Sequence, residues 1–401
     1  MSKRVLMIAP ACDGEDVGEA WVAAQWAARI ADRHELTLLT TCKRGHTPMS
    51  HQLSGARVIE WAEPRGVGRF ERFNSLLQPG YVPFHLRARR WIRRALASGE
   101  EFDVAHQVVP VAMRYPSPAV RLGIPLVVGP VGGSLSSPPG FIQEEGASSW
   151  YQRLRALDAW RMRYDPLLRR TYESADVVIG VADYVGEFLA DVRLRRFEVM
   201  SETAVTAVHD AVDRTSRTGP VRLLHVGRIV RTKGLRDVIR AMAVVRDLDV
   251  VLDVLGDGND RAACEELIAR LDLADRVTLH GAVPRAKVDE FYRRADVFVF
   301  PSYREPGGNV SLEAMSWGLP VVVCRRGGPG ANVDDSCAIL LASDSPQQLA
   351  ADCASAVRLL VEQPSRRWEM GEAGRQLALR SHLWPQRVEQ MERIYDELTR
   401  R

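Results

Sequence analysis

Glu305 and Glu313 have seven residues between them in Pro301-Ser-Tyr-Arg-Glu-Pro-Gly-Gly-Asn-Val-Ser-Leu-Glu-Ala-Met-Ser-Trp-Gly-Leu-Pro320. Carboxylates accept hydrogen bonds from hydroxyls, and two of them around a strand-to-helix junction suit a ligand rich in alcohol groups. The apolar run Val297-Phe-Val-Phe300 reads as a buried strand, and Pro306, Gly307 and Gly308 cannot continue it. Asn309 is a good N-cap for a helix beginning near Val310. Unpaired N–H groups of that first turn, with the helix dipole behind them, suit a negative group such as a diphosphate. Long cations come from Leu223-Leu-His-Val-Gly-Arg-Ile-Val-Arg-Thr-Lys-Gly-Leu235, where a strand runs through Gly227 into a loop bearing Arg228, Arg231 and Lys233. Arg228 and Lys233 stand where side chains from such a loop meet a diphosphate. A solvated cationic loop is the plainer alternative, and it reads Arg231 as a surface cation. Diphosphate plus hydroxyls describes a nucleotide sugar.

The segment from Pro301 to Pro320, continuing through Glu313-Ala-Met-Ser-Trp-Gly-Leu-Pro-Val-Val322, resembles the Glu-x7-Glu signature of the family 4 retaining glycosyltransferases, which have the GT-B fold. Leu223–Leu235 is similar to that family's Gly-Arg…Lys-Gly motif. The resemblance implies phosphate contacts for Arg228 and Lys233, donor-sugar hydroxyls for Glu305 and the nucleotide ribose for Glu313. It further implies backbone contacts from Gly307, Gly308, Asn309 and Val310. Val254-Leu-Gly-Asp-Gly-Asn259 resembles a Gly-x-Gly turn near the nucleotide base, which makes Gly256 and Gly258 donor-side candidates. A bare tight turn has the same sequence. His280 and Gly281, in Val277-Thr-Leu-His-Gly-Ala-Val-Pro284, follow the family pattern at the edge of the base pocket, although a satisfied core histidine reads the same way.

These residues need scaffolding, and the rest of the chain supplies it. With 401 residues the chain suits two domains. At 46% apolar and 26% charged its composition is that of a soluble globular protein, and no apolar run reaches the ~18 residues of a membrane span. The apolar run after Lys3 and Arg4 is short and acids follow it, so it reads as a first strand rather than a signal peptide. Six cysteines without Cys-x-x-Cys spacing read as reduced thiols. A net charge of +3 gives no global case for nucleic acid.

Apolar runs alternate with helical patterns, which predicts parallel sheets with helices on both faces. Strands are expected near 5–8, 36–40, 58–61, 104–106, 126–128 and 177–180, with helices over 18–32 and 150–173. After the polar stretch His209–Pro220, the alternation restarts near 223–226, 250–255, 277–280, 297–300 and 321–323. The expected fold class is α/β: two Rossmann-like, doubly wound domains facing a cleft. Their expected bounds are 1–208 and 221–380, with a linker at 209–220. Val388, Met391, Ile394, Tyr395 and Leu398 lie on one face of a helix. The resemblance implies that this segment, 381–401, crosses back onto the N-terminal domain.

On the acceptor side the resemblance places a glycine loop around Gly18, although the family's adjacent glycine pair is absent here. Gly132 and Gly133, in Gly129-Pro-Val-Gly-Gly-Ser134, offer backbone N–H groups just beyond a strand. Many relatives carry a histidine in this region, and the matching stretch has none. His106 either points into the same cleft or is a structural histidine. From Arg65 to Arg94 eight arginines meet one acid, Glu71. The helix at 83–96 within that stretch is read as a solvated face or as a peripheral contact with anionic lipid. Asp247-Leu248-Asp249 matches a metal-holding Asp-x-Asp pattern, but it precedes a strand and so falls at the edge away from ligands.

The resulting expectation is a retaining hexosyltransferase that moves a sugar from a nucleoside diphosphate donor, UDP-linked, to an acceptor hydroxyl. The acceptor is a small molecule or is lipid-linked, in secondary-metabolite or cell-envelope glycoside synthesis. Arg228, Lys233 and Glu305 are the expected catalytic residues. No metal and no cofactor besides the co-substrate is expected, nor any nucleic-acid partner. The expected location is the cytoplasm, with a peripheral position at the inner membrane face as its variant. A nucleotide-sugar epimerase of similar fold and a non-catalytic nucleotide-sugar-binding protein stay open as alternatives.

Overall fold

Val, Leu and Ile runs without a polar face fold as strands buried on both sides, and parallel sheets provide that environment. The computed structural model of the chain describes residues 2–16, 18–63, 80–145, 158, 160–214 and 217–400. The chain divides into two units, one of Met1–Ser134, Ser149–Glu202 and Val388–Arg401, the other of Leu135–Ser148 and Thr203–Arg387. Leu135–Ser148 therefore groups with the second unit although it lies inside the stretch expected to form the first.

In the first unit, β1 (Arg4–Ile8), β2 (Glu35–Cys42), β3 (Ala56–Ala62), β4 (Val104–Gln107), β5 (Leu126–Val131), β6 (Val177–Gly180) and β7 (Phe197–Val199) form one sheet. Its order is β3-β2-β1-β4-β5-β6-β7. Every pairing is parallel, with Ile8 in register with Leu39 on one side and Gln107 on the other. The helices are α1 (Glu19–Ala31), α2 (Met49–Gln52), α3 (Tyr81–Ala97), α4 (Pro166–Ser174) and α5 (Tyr184–Phe188).

The helix expected over 150–173 is interrupted at Asp165. Pro166 has no N–H to give, and the Asp165 carboxylate accepts from Leu167 and Leu168 to start α4 afresh. Positions 150–157 and 159 of that expectation lie outside the described residues, as do 65–79 of the arginine-rich segment and 215–216 of the expected linker.

In the second unit, β8 (Val221–Val226), β9 (Val250–Leu255), β10 (Val277–Gly281), β11 (Val297–Phe300), β12 (Val321–Cys324) and β13 (Ala338–Leu341) form the order β10-β9-β8-β11-β12-β13, again wholly parallel. Around it run α6 (Leu235–Val244), α7 (Arg261–Arg270), α8 (Arg285–Arg294), α9 (Asn309–Ser316), α10 (Gly327–Ala331), α11 (Pro346–Glu362) and α12 (Pro364–Ser381). The last helix, α13 (Trp384–Thr399), belongs from Val388 onward to the first unit. There Val388, Met391, Ile394 and Tyr395 are buried.

The strand order reverses between β8 and β11, whose loops leave neighbouring positions of one sheet edge. Doubly wound sheets open a crevice for ligands at such a reversal. Phe141 helps fill the core beside it, fully buried and 4.0 Å from the Tyr303 ring between centroids. Burying a phenylalanine is worth about 1.5–3 kcal/mol, which explains why this detached segment stays with the second unit. All six cysteines are free thiols. No helix among the described residues is long and apolar enough to cross a membrane.

Candidate functional site

The loop after β8 and the loop after β11 meet in an ion pair between the Lys233 ammonium and the Glu305 carboxylate, and Ser302 Oγ donates to Thr232 O at 3.0 Å. Lys233 closes a short 3-10 turn, Arg231–Lys233, and is buried. Burial above all, then the nearby guanidinium groups of Arg228 and Arg304, pulls its ammonium down to about 7. The Glu305 carboxylate pulls the other way. Arg228 is exposed, and no partner for it is found among the described residues. A buried ammonium crowded by two guanidinium groups, beside an arginine without a counter-ion, is a setting that favours an anion.

Gly307 and Gly308, both buried, lead into α9. The loop is held from behind: Gly328 N–H donates to Glu305 O at 3.0 Å and Asn332 Nδ2 donates to Gly307 O at 2.8 Å. Gly308 has φ +78°, and a Cβ there would lie 2.8 Å from Pro329, so only glycine makes this turn. It also corrects the expected cap. Gly308 rather than Asn309 is the N-cap, with no side-chain bond, because its left-handed backbone draws Asn309 into the helix. The first-turn amides are left without side-chain capping. Asn309 Oδ1 and Ser311 Oγ are buried with no hydrogen-bond partner among the described residues.

Glu313, one turn into α9, receives the Tyr292 hydroxyl at 3.1 Å and the Arg285 guanidinium at 2.7 Å. The tyrosine is buried, and that burial, with the carboxylate beside it, holds its hydroxyl protonated. Arg285 is largely exposed, so its grip on Glu313 is one a ligand displaces at little cost.

Gly227, Gly256 and Gly258 serve the loop rather than offering an open surface. A Cβ on Gly256 would fall 1.9 Å from Gly227 O, and one on Gly258 would fall 2.1 Å from Ile229 O. The turn after β9 thus props the backbone that carries Arg228. Gly281 O accepts from Gly256 N–H at 2.8 Å. His280 is partly exposed, with Nε2 2.6 Å from Asp253 Oδ1 and its ring 4.8 Å from that of Phe291. It is therefore not a core histidine.

Arg231, expected at the surface, is buried. It forms a double contact with Asp237, at 2.7 and 3.0 Å, reaches Glu144 at 2.9 Å, and lies over the rings of Phe141 and Tyr303. A buried cation needs such company, and here it ties Leu135–Ser148 to the unit. Sequence reasoning passed over Arg304, whose guanidinium takes Ser137 Oγ at 2.8 Å and Glu145 at 3.3 Å. Its position directly before Glu305 was the available signal. Asp247 is paired twice with Arg358, before β9 and so away from the ligand edge.

In the first unit the acceptor-side candidates are held by the protein's own packing and bonds. His106 is fully buried, and a carbonyl partner fixes its tautomer. Nε2–H donates to Gly129 O at 2.6 Å, and Nδ1 accepts the Tyr395 hydroxyl at 2.6 Å. Burial pulls its pKa down to about 4, against the pull of the Gly129 carbonyl. It is a structural histidine, which corrects the cleft-facing alternative. Gly132 N–H donates to Val111 O at 2.7 Å and is not available to a ligand. Gly133, φ +84°, packs within 3.5 Å of Ala112, and Gly18, φ +69°, caps α1.

A small cavity of about 100 Å³ beyond β1 and β2 is lined by Cys12, Asp13, Asp16, Thr41, Lys43 and Glu60, among others. Asp13, Asp16 and His46 place one ligand atom each within 4.8 Å of one another, a grouping the sequence spacing gave no hint of. Their partners are internal: Asp13 takes His46 and Gln52, and Asp16 takes Lys43.

Two family models match the chain, glycosyl transferases group 1 over residues 210–377 and a glycosyl transferase 4-like domain over 17–201. The chain has the GT-B fold. It is 36% identical over 161 residues, 39% of its length, to D-inositol 3-phosphate glycosyltransferase of Arthrobacter sp. (strain FB24). That match spans 38% of the relative's length, well under half. In fold it resembles sucrose-phosphate synthase from Thermosynechococcus elongatus, with a TM-score of 0.67 at 19% identity over 99% of both chains. It also resembles Anabaena Alr3699/HepE, solved in complex with UDP and glucose, with a TM-score of 0.61 at 17% identity over 98% of this chain and 99% of the other. The group 1 match falls on the unit that carries Arg228, Lys233 and both glutamates.

Proposed function

We propose that this protein is a retaining glycosyltransferase that takes a sugar from a nucleoside diphosphate donor, UDP-linked, and places it on an acceptor hydroxyl. The observation that carries the reading is the juxtaposition of exposed Arg228 and buried Lys233 with Glu305 ahead of the uncapped first turn of α9. A diphosphate satisfies that arrangement. It supplies negative charge that stabilises the Lys233 ammonium and gives Arg228 a partner, each contact being worth about 1.5–3 kcal/mol. Once the lysine turns to phosphate, Glu305 is released to accept from sugar hydroxyls. Glu313, held by a solvent-exposed arginine, is the acceptor for the ribose. The crystallised relative with UDP and glucose supports the same donor chemistry.

In the proposed reaction the bond from the anomeric carbon to the diphosphate oxygen breaks and its electron pair stays on phosphate. The acceptor oxygen bonds to the same face of that carbon, and its proton passes to the leaving phosphate. Arg228 and Lys233 lower the barrier only so far as they hold the departing diphosphate more tightly than the intact donor. Positive charge comes from side chains, so the reading uses no divalent metal, and chelation with EDTA should leave turnover unchanged.

A thermal-shift panel of nucleoside diphosphate sugars tests the donor class, because a ligand bound only by the native state raises Tm. A rise with UDP-sugars supports the reading, and a flat panel overturns it. Proton NMR of the product then reads the anomeric configuration, and inversion would refute the retaining assignment. The acceptor class proposed, a small or lipid-linked alcohol of secondary-metabolite or envelope glycoside synthesis, is tested with the donor so found.

A further inference from the structure

Helix α3 of the first unit has a buried face of Tyr81, Phe84, Ala88, Ile92 and Ala95. Its other face is unusual for solvent. Over seventeen residues it carries five arginines and no acid. Arg89 is used internally, donating to the carbonyls of Pro118 and Val120 at 2.9 and 3.0 Å. Arg87, Arg90, Arg93 and Arg94 are exposed, and none has an acidic partner among the described residues. Like charges at such spacing repel, by tenths of a kcal/mol per pair in water, so a face of this kind gains from an anionic partner. Two apolar side chains stand out of the same face at its N-terminal end, Val82 at 65% exposure and Leu86 at 50%.

A second exposed apolar group belongs to a segment anchored, like α3, on the loop of residues 113–120. Tyr81 OH donates to Pro116 O from α3, while Tyr172 OH donates to Met113 O and Thr171 Oγ1 accepts from Ser117 N–H from α4. Leu167 on α4, and Trp160 and Tyr164 just before it, are each about 60% exposed. Arg163 lies over the Tyr164 ring, 5.6 Å from its centroid, and Arg170 is exposed. Tryptophan and tyrosine with arginine at hand are the side chains that settle at headgroup depth.

The geometry points to this face, α3 with the Trp160–Leu167 segment, as a docking surface for an anionic lipid bilayer. The arginines meet the headgroups, and Val82, Leu86, Trp160 and Leu167 enter the interface just below them. Charge complementarity makes the choice of occupant, since the net charge of +3 for the whole chain is smaller than the four unpartnered arginines of this one helix. Apolar tips distinguish a bilayer from a soluble polyanion, which has nothing for them to enter.

Co-sedimentation of the whole protein with vesicles tests this without any sugar transfer, so it stands or falls separately from the donor assignment. The protein should pellet with phosphatidylcholine–phosphatidylglycerol vesicles and not with phosphatidylcholine alone, and added salt should weaken the partition. Each arginine near the surface is worth about fivefold, so R90E/R93E/R94E should lower the partition by roughly a hundredfold or more. Its Tm should stay unchanged, because these side chains support nothing in the fold. Leu86→Ser should remove the binding that survives at high salt. No pelleting with anionic vesicles at low salt overturns the proposal. So does an equal loss from R246E/R270E/R293E, a control set of exposed arginines on the second unit.

Discussion

At the end of β5, the glycine-rich stretch Gly129–Ser134 directs polar groups inward: Gly129 O takes His106, Gly132 N–H goes to Val111, and His106 is in turn capped by Tyr395. After β11, the loop Glu305–Val310 is braced from behind by Gly328 and Asn332, and in front it keeps an uncapped helix turn, Asn309 Oδ1 without a partner and Arg228 without a counter-ion. Both are glycine-rich and both lie at or beyond the end of a buried parallel strand. Glycines at a strand end therefore mark a ligand site only where charge and donors remain uncompensated once the protein's own bonds are formed.

The contrast predicts that changes at the second loop alter chemistry while changes at the first alter stability. The largest effect is expected from Lys233→Ala, which should lower kcat at least tenfold at saturating donor. An unchanged kcat with a raised KM would make the lysine a ground-state contact instead. Arg228→Ala should weaken UDP binding roughly ten- to a hundredfold in calorimetry and leave Tm where it is. Loss of Tm there would erase the distinction between the loops.

Next in size is Tyr395→Phe. It leaves the Nδ1 acceptor of buried His106 unsatisfied, which costs about 1–3 kcal/mol in denaturant unfolding, while UDP affinity stays unchanged. A shift in UDP affinity of more than a few-fold would join what is here held apart.

Protonation sharpens the same contrast. Burial holds His106, His225 and His382 near about 4, below the ordinary value of about 6.5. Between these values the unfolded chain binds more protons than the folded one, so stability is complete above about 6.5 and declines as pH falls toward about 4. At the second loop the sign is opposite. Lys233, drawn down to about 7, must be protonated to hold phosphate, so UDP affinity should fall as pH rises past that value and become flat in Lys233→Arg. The smallest effect is expected from Arg285→Ala, under about 1 kcal/mol in stability, because the guanidinium is 73% exposed in its pair with Glu313.

Much of this was legible in the residues. The apolar runs expected as strands all form strands, since buried parallel strands leave an unmixed apolar trace. β7 and β13 were not foreseen: Phe-Glu-Val is short and mixed, and Ala338-Ile-Leu-Leu341 is a run of only four residues. The Glu305–Glu313 segment and Arg228–Lys233 are local in sequence, and they meet because β8 and β11 are neighbours. Arg231 was misread because its burial depends on Asp237 nearby and on Glu144, 87 residues earlier, a pairing no local pattern reveals. His106 was ambiguous for the same reason, its partner Tyr395 being 289 positions away.

That last separation bears on biosynthesis. The pocket around His106 is sealed by a hydroxyl that the ribosome adds only after the entire second unit has been made. Until then the first unit lacks the buried side chains of Val388, Met391, Ile394 and Tyr395. Completion in the cell therefore runs against the order of translation: the half encoded earlier is finished later, and the nascent chain has reason to be shielded throughout that interval.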